Sequence, residues 1–353
     1  MSQRFPSVVA TRGRDLLTGS WHRARAGPPR APVLALRGVT PDLAFVHANR
    51  SAPAYTWIGH SSALLQMAGA NLLLDPVFSA TASPFRYIGP RRHQPPGLTP
   101  EEVPHVDAVL LSHNHYDHLD RRSVRAVAAQ QGGAPRYFVP RGTERWFARN
   151  LPRVRGTLPH IDGVDWDATR TVEAPCGPLT LHFLPVQHWS SRTGFDRNAS
   201  LWGSWAVLHA DFRFWYSGDL GYSHEPRRIG DRLGPFDAAA IAIGAYEPRW
   251  FMRSQHVNPE EAVQVMLDVQ ARQAIGVHWG TFALTDEPLD QPPRDLAVAL
   301  DARGLPRERF IVLRHGETLR FNRMRSAAPD TPAAAGSPSG ASRATTQTRG
   351  RSA

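Results

Sequence analysis

The segment Ser112-His-Asn-His-Tyr-Asp-His-Leu-Asp120 gathers three imidazoles and two carboxylates within nine residues. Imidazole nitrogen and carboxylate oxygen are ligands that suit zinc and similar divalent ions, whereas a calcium site is built from oxygen. On an extended or looped backbone His113 and His115 can converge on one ion, while Asp117 and His118 face a second ion close by. The alternative, a polar surface turn rich in histidine, does not account for the further ligand-type residues downstream.

Apolar runs place these candidate ligands at the ends of predicted strands. The run 108–111 leads into the histidine segment, and Asp120 is placed to cap a helix that begins at Arg121. The runs 179–186, 212–216 and 274–277 are followed by His188, Asp219 and His278. Because loops at the carboxyl ends of strands carry the catalytic groups of many layered α/β proteins, the sequence predicts one site built from several strand ends.

The composition is that of a globular protein with a sizeable core, since 41% of the 353 residues are hydrophobic. All 41 basic residues are Arg and they are scattered, so the net charge of +10 does not predict a nucleic-acid partner. An anionic membrane surface or a phosphate-bearing substrate fits this charge better. Cys176 is the only cysteine, which excludes an intrachain disulfide and a metal site made of several thiolates.

The two ends of the chain differ from its centre. Residues 1–50 are rich in Arg, Pro and Gly and predict an extended arm that wraps one domain at 51–323. The tail 324–353 has too few large apolar residues to fold, so we expect it to be disordered. No run approaches the roughly 18 apolar residues of a membrane span, and residues 1–25 lack a signal-peptide core, so we expect a cytoplasmic protein.

The order of the ligand-type residues resembles the metallo-β-lactamase superfamily of binuclear metal hydrolases. Its signature His-x-His-x-Asp-His is matched in full by residues 113–118, and His188, Asp219 and His278 follow in the same order. The resemblance implies an α/β fold, a four-layered αβ/βα sandwich with two mixed β-sheets between outer helices. The metal site of such a fold lies at one edge, between the sheets.

A narrower set of motifs resembles the family of N-acyl-phosphatidylethanolamine-hydrolysing phospholipases D. The motifs are Trp57-Ile-Gly-His60, Leu74-Asp75-Pro76, Ala82-Ser-Pro-Phe-Arg-Tyr-Ile-Gly-Pro90, the histidine segment, Gln187-His-Trp189, Ser217-Gly-Asp219, Tyr246-Glu-Pro-Arg-Trp-Phe-Met252, Gln255-His-Val-Asn-Pro-Glu-Glu-Ala262 and His278-Trp-Gly-Thr-Phe-Ala-Leu284. The resemblance implies a phosphodiesterase that cleaves N-acyl-phosphatidylethanolamine to N-acylethanolamine and phosphatidic acid. It also implies a pair of Zn²⁺ ions per chain that share a hydroxide, although manganese or iron also accept His and Asp ligands.

The same resemblance implies a role for each candidate residue. One Zn²⁺ would be held by His113, His115 and His188, the other by Asp117, His118 and His278, with Asp219 bridging the two. The expected catalytic residues are Asp117, Asp219 and His256, the last to orient phosphate or protonate the leaving alkoxide. Substrate contacts are expected from Gln255, His256, Trp250, Phe251 and Met252. His60 and Asp75 are expected to orient the ligand histidines.

Several alternatives remain open from the sequence. His256 is also compatible with a histidine satisfied by backbone groups, and residues 250–252 with ordinary packing. The same metal site would serve a soluble phosphodiester or a lactone, and a non-catalytic, membrane-associated scaffold is a third function. As partners we expect a phospholipid or other phosphodiester substrate and peripheral contact with the inner face of the membrane. A homodimer is left open.

Overall fold

The computed structural model describes residues 36–154, 156–193 and 195–321. The chain divides into two units, residues 1–323 and 324–353, and every described residue lies in the first. Residues 1–35 of the predicted arm and the whole predicted tail 324–353 lie outside the described residues. The domain boundaries given by the sequence therefore stay predictions.

The first of two mixed β-sheets holds the segment before the histidine cluster. Its strands are β1 Ala54–Gly59, β2 Ser62–Met67, β3 Ala70–Leu74, β4 Ala108–Leu110, β5 Arg136–Pro140, β6 Ile161–Val164 and β14 Thr318–Arg320. The strand order is β14-β1-β2-β3-β4-β5-β6. Pairing is antiparallel from β14 to β3 and parallel from β3 to β6. The parallel half brings the carboxyl ends of β3 and β4 to the same edge.

The second sheet repeats this arrangement. Its strands are β7 Thr169–Val172, β8 Leu179–Leu184, β9 Ser204–Leu208, β10 Arg213–Tyr216, β11 Phe236–Ala242, β12 Ala271–Val277 and β13 Phe310–Val312. The strand order is β13-β12-β11-β10-β9-β8-β7, with antiparallel pairs from β7 to β10 and parallel pairs from β10 to β13. Two mixed sheets of seven strands confirm the predicted fold class.

Helices connect the strands and cover the sheets. They are α1 Leu43–Ala48, α2 Arg121–Ala128, α3 Glu144–Asn150, α4 Glu225–Leu233, α5 Arg249–Met252, α6 Pro259–Asp268 and α7 Gln291–Ala302, with a 3₁₀ turn at Arg307–Arg309. The predicted cap of α2 is confirmed, because the Asp120 carboxylate accepts a hydrogen bond from the Ser123 amide at 2.9 Å. Within the described ranges, no helix combines the length and the apolar character that crossing a membrane requires.

The core is layered because alternate side chains of a strand point to opposite faces of its sheet. Leu72 and Leu74 of β3 share a buried cluster with Trp205 of the second sheet, whereas Leu73 shares another with Val124 of α2. On the far side, α6 packs against β11 and β12. The order of layers is thus helix, sheet, sheet and helix.

One segment differs from the prediction of an extended arm. Residues 43–48 form α1, because the Asp42 carboxylate caps the helix by accepting from the Phe45 amide at 3.0 Å. The side chain of Val46, which belongs to this helix, is fully buried. The prediction of an extended conformation is therefore wrong for these six residues.

Candidate metal centre

The predicted ligands come together where strands of both sheets end. Asp75 follows β3, segment 112–120 follows β4, His188 follows β8, Asp219 follows β10 and His278 follows β12. Parallel pairing puts neighbouring carboxyl ends at one edge, and packing of the two sheets brings the two edges together. The arrangement agrees with the expectation that separate strand ends build one site.

A first group of ligand-type atoms consists of His113, His115, His188 and Asp219. These atoms lie within 4.8 Å of one another. The Nε2 atoms of His113 and His188 lie 3.7 and 3.8 Å from Asp219 Oδ2, and His113 Nε2 lies 2.8 Å from His115 Nδ1. Three imidazoles and one carboxylate oxygen therefore point at a common volume of the size that one ion requires.

A second group consists of Asp117, His118, His278 and His60. Asp219 connects it to the first group, since its Oδ2 lies 3.1 Å from His118 Nε2 and 3.2 Å from His278 Nε2. His60 Nε2 lies 3.0 Å from Asp117 Oδ2. The structure thus brings all seven predicted ligands together, with Asp219 between the groups, and His60 lies within hydrogen-bonding distance of Asp117, where an orienting role is expected.

The donor atoms fit a divalent metal ion. Within the described residues, buried Nε2 atoms of His115, His118, His188 and His278, and Oδ1 of Asp219, have no hydrogen-bond partner. Buried polar atoms in folded proteins nearly always have a partner, so this number at one place indicates that another species satisfies them. Nitrogen and carboxylate oxygen in this ratio suit Zn²⁺, Mn²⁺ or iron.

The electrostatic surroundings differ between the two groups of ligands. Although burial alone would lower their pKa values, the carboxylates of Asp219 and Asp117 raise the pKa of His118 well above its usual range and that of His278 to about 9. Burial lowers the pKa of His113 and His188 well below its usual range and that of His115 to about 4, so these rings carry a free lone pair at neutral pH. Burial alone would raise the pKa of Asp219, but the charge of His118 and His278 outweighs it and holds that pKa well below its usual range. The carboxylate is therefore ionised.

Asp75 orients the second group from behind. Its fully buried carboxylate accepts hydrogen bonds from the Ser112 amide at 2.7 Å and from the Tyr216 hydroxyl at 2.6 Å, and also from the Ser112 hydroxyl. His118 Nδ1 lies 2.7 Å from Asp75 Oδ2, so this ring donates through Nδ1 and presents Nε2 to the site. The contact agrees with the orienting role expected of Asp75.

The backbone at the site is strained in three places. His60, Asp75 and His278 have φ values of 55, 35 and 62°. Left-handed backbone costs roughly 1–3 kcal/mol for a residue other than glycine and is retained where the surroundings require it. The amide of His278 donates to the carbonyl of His60 at 3.0 Å, which couples two of these positions.

The close approach of the two sheets beside Asp219 requires glycine at position 218. Gly218 has φ of 58°, and a Cβ built there would lie 2.7 Å from the Gly203 carbonyl oxygen and 2.8 Å from Ser112 Cβ. A side chain at this position would separate β10 from the histidine segment. Gly218 therefore lets the two sheets approach closely enough for Asp219 to reach both ligand groups.

The residues expected near the substrate occupy different environments. Gln255 is buried, and its carbonyl accepts from His188 Nδ1 at 3.0 Å while its side-chain oxygen accepts from Trp189 Nε1 at 2.6 Å. His256 Nε2 lies 4.0 Å from Asp219 Oδ2. On α5, Trp250 is 55% exposed and Met252 is buried, with Phe251 half-buried between them. Gln255 thus fixes His188, whereas His256 faces the metal ligands.

Two residues that the sequence did not single out support the histidine segment. The Tyr216 hydroxyl fixes Asp75, and the Arg192 guanidinium donates to the carbonyls of Asn114 and Leu119 at 2.9 and 2.7 Å. Arg192 also lies 4.1 Å above the ring of Tyr116. Tyr216 lies at the end of an apolar strand and Arg192 in a polar loop, so neither position carries a local signal of these distant contacts.

Comparison with known proteins agrees with this geometry. A model of the β-lactamase superfamily domain matches residues 70–279. N-acyl-phosphatidylethanolamine-hydrolyzing phospholipase D 1 of Caenorhabditis elegans is 38% identical over 265 residues, 74% of either chain. The mitochondrial enzyme of that name from Saccharomyces cerevisiae is 33% identical over 258 residues, 71% of this chain and 53% of its own. A metallo hydrolase from Ignicoccus hospitalis shares the fold, with a TM-score of 0.54 at 18% identity over 77% of this chain and 99% of its own.

Proposed function

Because the chain belongs to the metallo-β-lactamase superfamily and is a metal-dependent hydrolase, we propose that it hydrolyses N-acyl-phosphatidylethanolamine in a phospholipase D reaction. The observation that carries the proposal is the convergence of two ligand groups on Asp219, since a binuclear centre suits attack on a phosphodiester. The choice of substrate is supported by 38% and 33% identity to relatives that bear this activity in their names.

The ligand assignment follows the two groups of donor atoms. His113, His115 and His188 would hold one Zn²⁺, and Asp117, His118 and His278 the other, with Asp219 shared. Bound there, the ions would neutralise negative charge on the phosphoryl oxygens and lower the pKa of water toward neutral. His60 would hold the Asp117 carboxylate in place through its 3.0 Å contact, and Asp75 would hold His118.

The reaction that we propose consumes one water molecule. Water attacks phosphorus, the bond between phosphorus and the ethanolamide oxygen breaks, and that oxygen takes a proton as N-acylethanolamine leaves. Phosphatidic acid is the other product. Asp117 and Asp219 are ionised at neutral pH, because the charge of His118 and neighbouring histidines outweighs burial and holds the pKa of each well below its usual range.

His256 is suited to orient the phosphate. Burial lowers the pKa of His256 to about 4, so at neutral pH its ring is uncharged and has one N–H to donate. Its Nε2 lies 4.0 Å from Asp219 Oδ2, on the side of the site that α5 and α6 flank. We assign His256 to hydrogen bonding of a phosphoryl oxygen, in preference to protonation of the leaving alkoxide. Trp250 and Phe251 would then contact the acyl chains beyond it.

The testing experiment measures metal content and hydrolysis of N-acyl-phosphatidylethanolamine in mixed micelles. Wild type is compared with Asp219→Asn and His115→Ala, and with the matched surface variants Asp211→Asn and His105→Ala, whose side chains are exposed. We expect about two ions per chain in wild type, with activity lost in the first pair and kept in the second.

Other outcomes favour the remaining functions. Bound metal with turnover only of a soluble phosphodiester or lactone, independent of lipid and detergent, would replace the phospholipase proposal by the second function. Metal that changes thermal stability without hydrolysis of any substrate would favour a non-catalytic scaffold. If Asp211→Asn also lost activity, the loss in Asp219→Asn could not be attributed to the metal centre.

A further inference from the structure

Exposed apolar side chains are concentrated on three segments that adjoin the metal centre. Among the described residues, five of the nine exposed large apolar side chains lie on these segments: Phe85, Tyr87 and Ile88 at 60, 70 and 70% exposure, Phe195 at 90% and Trp250 at 55%. We call these five residues the apolar tips. A soluble protein rarely places so many large apolar groups around one site unless the surface binds something.

The first segment is a hairpin-like loop whose base is linked to His60 through the ring of Phe282. Its base is closed by an isolated bridge between Thr81 and Arg91, and all residues from 84 to 89 are exposed at its tip. The Arg92 guanidinium lies 4.9 Å from the ring of Phe282, and that ring lies 5.2 Å from His60. The exposed residues 84–89 therefore belong to a loop whose base packs on Phe282, a neighbour of His60 in the second ligand group.

The second segment leaves the centre directly after His188. Its residue Arg192 donates to the carbonyls of Asn114 and Leu119, so it is fixed to the histidine segment. The Asp196 carboxylate accepts from the amides of Arg192 and Thr193 at 3.0 and 2.7 Å, which shapes the turn. Phe195 stands at the outside of this turn, where it is 90% exposed.

The third segment is α5 with the chain that follows it. Trp250 lies on α5, and five residues later the Gln255 carbonyl accepts the hydrogen bond from His188 Nδ1. The Trp250 ring also contacts that of Phe251, with centroids 5.7 Å apart. The second and third segments thus carry an exposed apolar side chain within a few residues of a contact to a ligand histidine or its loop, and the first segment reaches His60 through Phe282.

Positive charge accompanies the apolar tips. Residues 79–93 contain no Asp or Glu but include three Arg residues, of which Arg86 and Arg91 are exposed. The Arg86 guanidinium lies 5.2 Å from the ring of Tyr87. Arg253, one turn from Trp250, is 78% exposed but pairs with Glu261 at 3.5 Å, so the unpaired charge of this surface is attributed to Arg86 and Arg91. Aromatic rings beside arginine suit the interface of an anionic bilayer, where rings enter the headgroup layer and guanidinium groups meet phosphates.

We propose that the apolar tips and the neighbouring arginines form a docking surface for a bilayer that contains anionic phospholipid. The proposal rests on the proposed function in one respect, that docking here presents the metal centre to a substrate which is itself a membrane lipid. A second copy of the chain fits less well, because pairing of two such surfaces would bring Arg86 and Arg91 of both copies close together.

The test is sedimentation of the metal-loaded protein with vesicles of phosphatidylcholine alone or mixed with phosphatidylglycerol. Neither lipid carries an N-acyl chain, so binding is measured apart from the proposed hydrolysis. The triple variant Phe85→Ser/Tyr87→Ser/Ile88→Ser is compared with Val298→Ser, which removes an apolar side chain of 67% exposure from α7. Turnover of the soluble diester bis(p-nitrophenyl) phosphate and the unfolding midpoint report whether the triple variant is intact.

We expect wild type and Val298→Ser to bind the mixed vesicles, and the triple variant to bind about tenfold or more weakly with its unfolding midpoint unchanged. The variant Arg86→Gln/Arg91→Gln should lose most of the preference for phosphatidylglycerol, and added salt should weaken binding of wild type. Equal binding of wild type and the triple variant, or no binding of wild type, would overturn the proposal.

Two further outcomes separate this proposal from others. If the triple variant changes the oligomeric state in size-exclusion chromatography while wild type ignores vesicles, a second copy covers the tips and the proposal is wrong. If wild type binds the mixed vesicles through the tips but hydrolyses no N-acyl-phosphatidylethanolamine, the docking surface stands and the proposed function fails.

Discussion

The Tyr216 hydroxyl makes a buried contact whose removal has a predictable cost. It donates to Asp75 Oδ2 at 2.6 Å, and both residues are fully buried. Burial, and then the charge of Asp75, raises the pKa of Tyr216 well above its usual range, so the hydroxyl keeps its proton and donates. In Tyr216→Phe the ring still fills its space, and the carboxylate keeps its donors Ser112 and His118.

The expected loss is that of one hydrogen bond to a charged group. Such bonds contribute roughly 1.5–3 kcal/mol, so we expect Tyr216→Phe to lower the free energy of unfolding by about 2 kcal/mol. The matched control is Tyr222→Phe. Its hydroxyl lies 2.8 Å from Asp268 Oδ2 but the residue is 39% exposed, so water replaces the bond and we expect a loss of about 0.5 kcal/mol.

The assay is urea unfolding of the chelator-treated protein, followed by tryptophan fluorescence. The change in the free energy of unfolding is calculated from the shift in the urea midpoint, with one slope of free energy against urea concentration used for all variants. A second readout is Zn²⁺ affinity, which should fall about tenfold or more in Tyr216→Phe alone, because Asp75 then holds His118 less firmly. A loss of stability in Tyr216→Phe no larger than that in Tyr222→Phe, with unchanged Zn²⁺ affinity, would refute the role of this contact.

Other perturbations test the ions, the loop and a helix end. Removal of metal by a chelator should lower the thermal midpoint and added Zn²⁺ should restore it, since free ion at about 100 times its Kd stabilises the folded chain by about 2.7 kcal/mol; a midpoint indifferent to Zn²⁺ would contradict the ligand assignment. Arg192→Gln should lower the free energy of unfolding by about 3 kcal/mol, because two charge-assisted hydrogen bonds are lost, whereas Arg141→Gln, which breaks an exposed ion pair, should cost less than about 1 kcal/mol. Equal costs in these two urea-unfolding measurements would argue against a stabilising role of Arg192. Asn258→Ala removes the capping box of α6 and should cost about 1 kcal/mol in the same assay without changing metal content.

Much of the fold and the site was predictable because local patterns carry it. Alternating and continuous apolar runs mark the strands, and the polar residues directly after them become the site when the sheets pack. Asp120 is a residue type that caps helices, and its predicted cap at the start of α2 is confirmed by the hydrogen bond from the Ser123 amide. Residues 113–118 are informative because such a density of metal-ligand side chains is typical of a metal site and uncommon elsewhere.

The supporting contacts of the site are not predictable in this way, because they join residues that are far apart in the sequence. Tyr216 meets Asp75 across 141 positions of sequence, and Arg192 reaches Leu119 across 73. Both contacts exist only after the two sheets have packed, so strand pattern and turn chemistry do not reveal them. The sequence does not predict the helix at 43–48, because one Asp cap and one buried Val are a weak signal within an Arg- and Pro-rich segment.

The division of the ligands between the two sheets has a consequence for biosynthesis. His113 to His118 are synthesised with the first sheet, whereas His188, Asp219 and His278 arrive with the second. A nascent chain that has emerged only through β6 offers four of the seven proposed ligands, so we expect it to bind a divalent metal ion more weakly than the completed chain. Under the proposed ligand assignment the site is complete only once His278 has been synthesised, so a chain truncated before that residue lacks one ligand of the second ion.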